Sequence, residues 1–173
     1  MKEATKKTPQ WVHFGAGNIF RAFPAALQQK LLNEGIEKTG IIVAEGYDYE
    51  IIKKAYRPQD DLSLLVTLKA NGTIEKTVIG SLAESLTVDR HDADDWGRLK
   101  EIFASDTLQM VSFTITEKGY SITSPDGAFR ADVKADFEAG PENADSYIGK
   151  LAALCYWRYT QGCLLYTSPS PRD

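Results

Sequence analysis

Trp11-Val12-His13-Phe14-Gly15-Ala16-Gly17-Asn18-Ile19-Phe20-Arg21 is the stretch that decides the fold. Trp11 to Phe14 have the character of a short strand, which ends on a glycine. A second glycine follows one residue later, and a helical pattern begins soon after. The first glycine permits a tight turn, and the second lets another group approach the backbone. From Phe20 to Asn33 the spacing predicts a helix, with Phe23, Ala26, Leu27, Leu31 and Leu32 on its inward side. Pro24 falls in its first turns, where a missing N–H does little harm, and Gly35 is placed to cap it. Gly40-Ile41-Ile42-Val43-Ala44-Glu45 is almost continuously apolar, as expected of a parallel strand buried on both faces. Strand, glycine turn, helix and strand make one βαβ unit.

Further along, Leu62 to Leu68 and Ile74 to Ile79 flank Asn71-Gly72. Both turn residues tolerate positive φ, so this reads as an antiparallel hairpin inserted in, or appended to, the parallel sheet. Ala93 to Ala104 is helical, with Trp96, Leu99, Ile102 and Phe103 inward and Asp92 as its cap. Leu108 to Thr116 is another strand, ending in Glu117-Lys118-Gly119-Tyr120. Ser124 to Asn143 is polar and reads mostly as loop. Asp145 to Gln161 is a helix with Ile148, Leu151, Ala152, Cys155 and Tyr159 as its apolar stripe, and Gly162 lies just past its end. The whole implies an α/β, Rossmann-type domain: a mainly parallel sheet with an inserted β-hairpin, incomplete as a domain.

The chain has 173 residues, 43% hydrophobic and 25% charged, the proportions of a soluble globular domain. A net charge of −4 argues against a nucleic-acid or anionic membrane partner. No window is apolar for long enough to span a bilayer, and the first residues lack the pattern of a signal peptide, so a cytoplasmic location is expected. Cys155 and Cys163, the two cysteines, make no disulfide framework, and neither His13 nor His91 sits in a metal motif.

Residues 163–173 break the pattern. After Gly162 an α/β chain should enter a buried strand, but Ser168-Pro169-Ser170-Pro171 cannot sit inside a sheet because proline lacks the ladder donor. The string Cys163 to Asp173 can be back-translated codon for codon into the end of a transposase-type sequencing adapter. The expectation is therefore that residues 1–162 are the N-terminal part of a dinucleotide-binding domain and residues 163–173 are a translated adapter tail.

Gly15-Ala16-Gly17-Asn18-Ile19-Phe20 resembles a dinucleotide fingerprint in which Phe20 takes the place of the third glycine. The second glycine allows close approach of a pyrophosphate, and the following helix offers free N–H groups and the positive end of its dipole. Arg21 is placed to pair with the pyrophosphate; it reads equally well as a surface arginine. Glu45 ends the second strand, where a carboxylate accepts ribose hydroxyls and repels a 2′-phosphate, which favours NAD over NADP. Asp48 competes for that role. Thr116, Glu117 and Lys118 lie beyond a strand end, where ligands of open α/β sheets bind, and are placed to line the nicotinamide side. Lys118 is not favoured as a base, since nothing in the sequence buries it. His13 reads as a packed, hydrogen-bonded strand residue.

Two segments together resemble the mannitol dehydrogenase family of long-chain polyol and hexuronate dehydrogenases: Trp11 to Arg21, and Phe113-Thr114-Ile115-Thr116-Glu117-Lys118-Gly119-Tyr120. The similarity runs from about Trp11 to Gly162. It implies reversible hydride transfer between a nicotinamide cofactor and a keto sugar or keto-uronate. It also implies an N-terminal Rossmann-type domain joined to a mostly helical C-terminal domain that carries a lysine acid–base with asparagine and histidine nearby. No residue here matches that catalytic set. The resemblance carries over cofactor contacts only, at Gly15, Gly17, Phe20, Arg21 and the Thr116 to Lys118 region. A nucleotide-sensing module without catalysis is the alternative.

Overall fold

The computed structural model describes residues 1–116, Gly119 and 121–163. A helix, α1 (Lys2–Lys7), precedes strand β1 (Trp11–Phe14). Two helices follow, α2 (Asn18–Ala22) and α3 (Pro24–Asn33), then β2 (Ile41–Glu45). A short helix α4 (Tyr49–Ile51) continues as a π-helical turn, Ile52–Tyr56, and a 3₁₀ turn, Arg57–Gln59. The hairpin is β3 (Ser63–Leu68) and β4 (Ile74–Ile79), followed by β5 (Leu82–Thr87). Then come α5 (Ala93–Ala104), β6 (Met110–Phe113), α6 (Ala131–Ala139) and α7 (Tyr147–Thr160).

Four strands form one parallel sheet in the order β5-β2-β1-β6. From β1 the chain builds outward through β2 to β5. It then returns across the sheet through α5, so that β6 lies on the other side of β1. The strand direction of growth reverses between β1 and β6, and in open α/β sheets a ligand crevice opens at such a point. The hairpin lies between β2 and β5 in sequence but pairs only with itself, as a separate two-stranded antiparallel sheet.

Side-chain alternation along buried strands fills both faces of the sheet. Val12, Phe14, Ile42 and Ala44 pack with Leu99, Ile102, Phe103 and Leu154 on the face covered by α5 and α7. Ile41 and Val43 pack on the opposite face with Ala16, Phe20, Ala25, Ile52 and Tyr56. This two-sided burial explains the unbroken apolar run of β2.

Several expectations change. The N-terminus forms α1, whose Thr5 hydroxyl accepts the Gly40 N–H at 2.7 Å and so fixes the entrance to β2. The predicted Phe20–Asn33 helix is broken at Phe23, ahead of Pro24. Its phase restarts there, so Phe23 and Leu27 are exposed while Ala25 and Gln28 are buried. Gln28 is accommodated because its amide donates to Thr39 O at 2.7 Å. The stretch read as loop contains α6. On α7 the inward face is Tyr147, Lys150, Leu154 and Arg158, and Ala152, Cys155 and Tyr159 of the predicted stripe are exposed. Two charged residues face inward because both have partners: Lys150 Nζ donates to Tyr49 Oη at 2.9 Å, and Arg158 donates to Phe103 O and Ser105 O at 2.7 and 2.6 Å.

Candidate functional site

The glycine turn stands at the end of β1, beside the end of β6, where strand growth reverses. Gly15 has φ +107° and its N–H donates to Ala44 O at 2.8 Å. Its carbonyl accepts from Thr114 Oγ1 at 3.3 Å. Ala16 is held from two sides. Its N–H donates to Glu45 Oε2 at 2.7 Å, and its carbonyl accepts from Tyr56 Oη at 2.7 Å. Gly17 then caps α2, with φ −72° and ψ −179°, and an added Cβ there would meet nothing within 4 Å. The turn is therefore fixed behind and open in front.

A hydrogen-bonded row ties the turn to β6. Trp11 Nε1 donates to Ser112 Oγ at 2.6 Å. His13 Nδ1 bonds the same Ser112 Oγ at 2.7 Å, and His13 Nε2 bonds Thr114 Oγ1 at 3.0 Å. The imidazole is buried and stacks on the Phe20 ring at 4.2 Å. Burial lowers its pKa to about 4, so it is neutral at pH 7. Parallel register places His13 opposite Ser112 and Phe14 opposite Phe113, which is why the row forms across the two strands.

The sequence-predicted residues fall into three groups. Gly15, Ala16, Gly17, Asn18, Ile19, Phe20 and Arg21 do form one turn and helix start, with Phe20 buried beneath it and Ile19 exposed. Arg21 bonds Asn18 Oδ1 and lies over the Tyr56 ring, with Cζ 5.7 Å from its centroid. Glu45 is buried and faces the turn: besides Ala16 N–H, it accepts from Tyr47 N–H at 2.8 Å and Asp48 N–H at 3.3 Å. Its carboxylate thus clamps the turn to the loop after β2. Asp48, its competitor, is exposed. Thr116 is exposed past the end of β6 and its carbonyl accepts from Gly119 N–H at 2.8 Å. Glu117 and Lys118 lie outside the described residues. So do residues 164–173 of the predicted tail.

Tyr56 and Thr114 are the residues that sequence reasoning missed as supports of the turn. Thr114 is 99 residues from Gly15 in sequence, a separation that hides their contact from any local pattern. Tyr56 carried no signal, since only the π-helical turn brings it beneath Ala16.

No helix among the described residues is long and apolar enough to cross a membrane, and no cluster of metal-ligating side chains occurs among them.

No protein-family model matches the chain. It is 49% identical over 164 residues to the D-mannonate oxidoreductase of Thermotoga maritima, covering 95% of this chain and 30% of that protein. It is 34% identical over 164 residues to the polyol:NADP oxidoreductase of Gluconobacter oxydans, covering 92% and 33%. Among solved structures it resembles the mannitol 2-dehydrogenase of Pseudomonas fluorescens in ternary complex with NAD and D-mannitol. That match has a TM-score of 0.73 and 28% identity, over 91% of this chain and 32% of that one. A substrate-free D-sorbitol dehydrogenase matches with a TM-score of 0.71 and 30% identity, over 90% and 32%. The chain spans about a third of the length of the curated relatives it matches.

Proposed function

On the premise that the chain belongs to the mannitol dehydrogenase family, we propose that it is the cofactor-binding part of an NAD-dependent oxidoreductase acting on polyols or hexuronates. The observation that carries this is the meeting of two distant motifs, the glycine turn and the segment after β6, at the point where sheet growth reverses. The residues present fit a dinucleotide. An added Cβ at Gly17 would meet nothing within 4 Å, and α2 starts beside it. Asn18 and Arg21 stand in α2 just after the turn, hydrogen-bonded to each other and lining a cavity with Leu62 to Leu65.

In the intact enzyme the nicotinamide supplies hydride transfer to or from a sugar carbon. The residues of this chain bind and orient. Gly15, Ala16 and Gly17 present backbone to the pyrophosphate, and Arg21 offers it a cation. Glu45 keeps a carboxylate at the end of β2, which opposes a 2′-phosphate and favours NAD over NADP. Thr116, past the end of β6, is assigned to the nicotinamide side. Residues 1–162 form the N-terminal part of the cofactor domain in this reading, and 163–173 are translated adapter. The location is cytoplasmic and the substrate a small sugar or uronate.

Titration of the chain with NADH and NADPH, followed by nucleotide fluorescence, tests the binding. Comparable affinity for both overturns the NAD preference, and no binding of either overturns the cofactor reading. The full-length gene product is expected to reduce fructuronate, tagaturonate or fructose with NADH; failure on all of them leaves a nucleotide-sensing module instead. Long-read resequencing beyond Gly162 tests the tail: a natural gene that encodes those residues and then stops overturns the adapter reading.

A further inference from the structure

We propose that Tyr56 is a positioning residue: its hydroxyl holds the Ala16 carbonyl and thereby aims the Gly17 N–H at a bound pyrophosphate. The inference rests on the cofactor reading above and adds to it the group that sets the donor's direction.

The geometry is that of one peptide plane. Ala16 C=O and Gly17 N–H belong to the same peptide unit, and no peptide bond among the described residues is cis. In a trans peptide these two groups point in opposite directions. Tyr56 Oη takes the carbonyl from beneath at 2.7 Å, so the Gly17 N–H points away from the core. Among the described residues the Gly17 N–H has no hydrogen-bond acceptor, and an added Cβ at Gly17 would also meet nothing within 4 Å. The neighbouring plane is fixed separately, through Ala16 N–H on Glu45 and Gly15 C=O on Thr114. Tyr56 is thus the one side chain among the described residues with a hydrogen bond to the plane that carries the Gly17 donor.

Tyr56 is itself held firmly. It is fully buried, closing a π-helical turn, a rare geometry that recurs at functional sites. The next residue, Arg57, is anchored on the buried Asp95 at 2.6 Å, and Asp95 also accepts the Thr87 N–H and hydroxyl. Burial raises the Tyr56 pKa, so the hydroxyl remains a proton donor throughout the neutral range. Its ring also underlies Arg21. A phenylalanine keeps the ring and its contact with Arg21, and removes only the hydroxyl.

The test compares Tyr56→Phe with wild type across NADH, ADP and adenosine, by titration or by competition against NADH fluorescence. Loss of one aiming hydrogen bond should weaken NADH and ADP about fivefold, with adenosine unchanged. Equal losses on all three ligands would mean that the tyrosine is merely structural, and unchanged ADP binding would also overturn the proposal. If the wild-type chain binds none of them, the cofactor reading itself has failed, and a variant-specific loss cannot be confused with that result. Should Tyr56→Phe not fold, 3-fluorotyrosine at position 56 keeps the ring and strengthens the donor. Tighter ADP binding with unchanged adenosine is then expected, and no change overturns the proposal.

Discussion

At Gly15 an added Cβ would lie 2.7 Å from Thr114 O and 2.9 Å from Thr114 Oγ1, on a backbone with φ +107°. At Gly17 neither restriction exists. Gly15→Ala is therefore expected to cost about 2 kcal/mol or more in urea denaturation, from strain and contact together. Gly17→Ala should leave the denaturation midpoint close to wild type while weakening NADH binding. His13 makes a separate prediction in pH. Its folded pKa of about 4 lies below the unfolded value near 6.5, so on acidification the unfolded chain takes the proton first. Its contribution is whole above about pH 6.5 and is lost as pH falls toward 4, on the order of 3 kcal/mol at the limit. Denaturation at pH 7, 6 and 5 should show this slope, and His13→Asn should flatten it. The site was legible in sequence only where chemistry is local. The two glycines and the acid at Glu45 announce themselves by their place after a strand. That Glu45 turns inward onto Ala16 N–H depends on tertiary packing, which spacing cannot convey.

Among the elements, β1, β4 and α5 have the bounds that their patterns predict, because strand alternation, the Asn-Gly turn and the Asp92 cap are strong local signals. The weaker readings fail for identifiable reasons. β5 reads Leu82-Ala83-Glu84-Ser85-Leu86-Thr87, and its polar residues mask a buried strand; Glu84 is accommodated through Arg98 at 2.8 Å. On α7, Ile148 and Leu151 of the expected stripe pack against the core, but the helix turns Lys150 and Arg158 inward and leaves Ala152, Cys155 and Tyr159 outside. Arg158 explains that choice, since its guanidinium donates to Phe103 O at the end of α5 and joins the Leu108 N–H on Ser105 O. Arg158→Met should lower stability by about 1–3 kcal/mol, chiefly through Phe103 O left without the donor that caps it. Chemical denaturation should show a shifted midpoint at unchanged slope.

For the molecule as a whole, the parallel sheet and its hairpin were legible, and the distribution of apolar surface was not. Leu64, Val66, Leu68, Ile74 and Val78 share one face of the hairpin and are all exposed. Phe23 at the break before α3, Leu27 on α3, and Tyr156 and Tyr159 on α7 are exposed as well. Patches of this kind favour association. The isolated chain is expected to self-associate in sedimentation velocity as concentration rises. Replacing Leu64, Val66 and Val78 by threonine should reduce that association with little change in thermal midpoint. A chain that stays monomeric at every concentration would contradict this.

The row from Trp11 to Gly15 also has a sense of direction. Thr114 Oγ1 gives its proton to Gly15 O and so accepts from His13 Nε2, which leaves Nδ1 of the neutral ring to accept from Ser112 Oγ, itself the acceptor of the Trp11 Nε1 proton. The imidazole is thereby locked as a single tautomer, protonated at Nε2. Its two ¹⁵N resonances should accordingly split into one pyrrole-like and one pyridine-like signal. A polarised wire thus runs from the indole of one strand to the carbonyl that opens the turn.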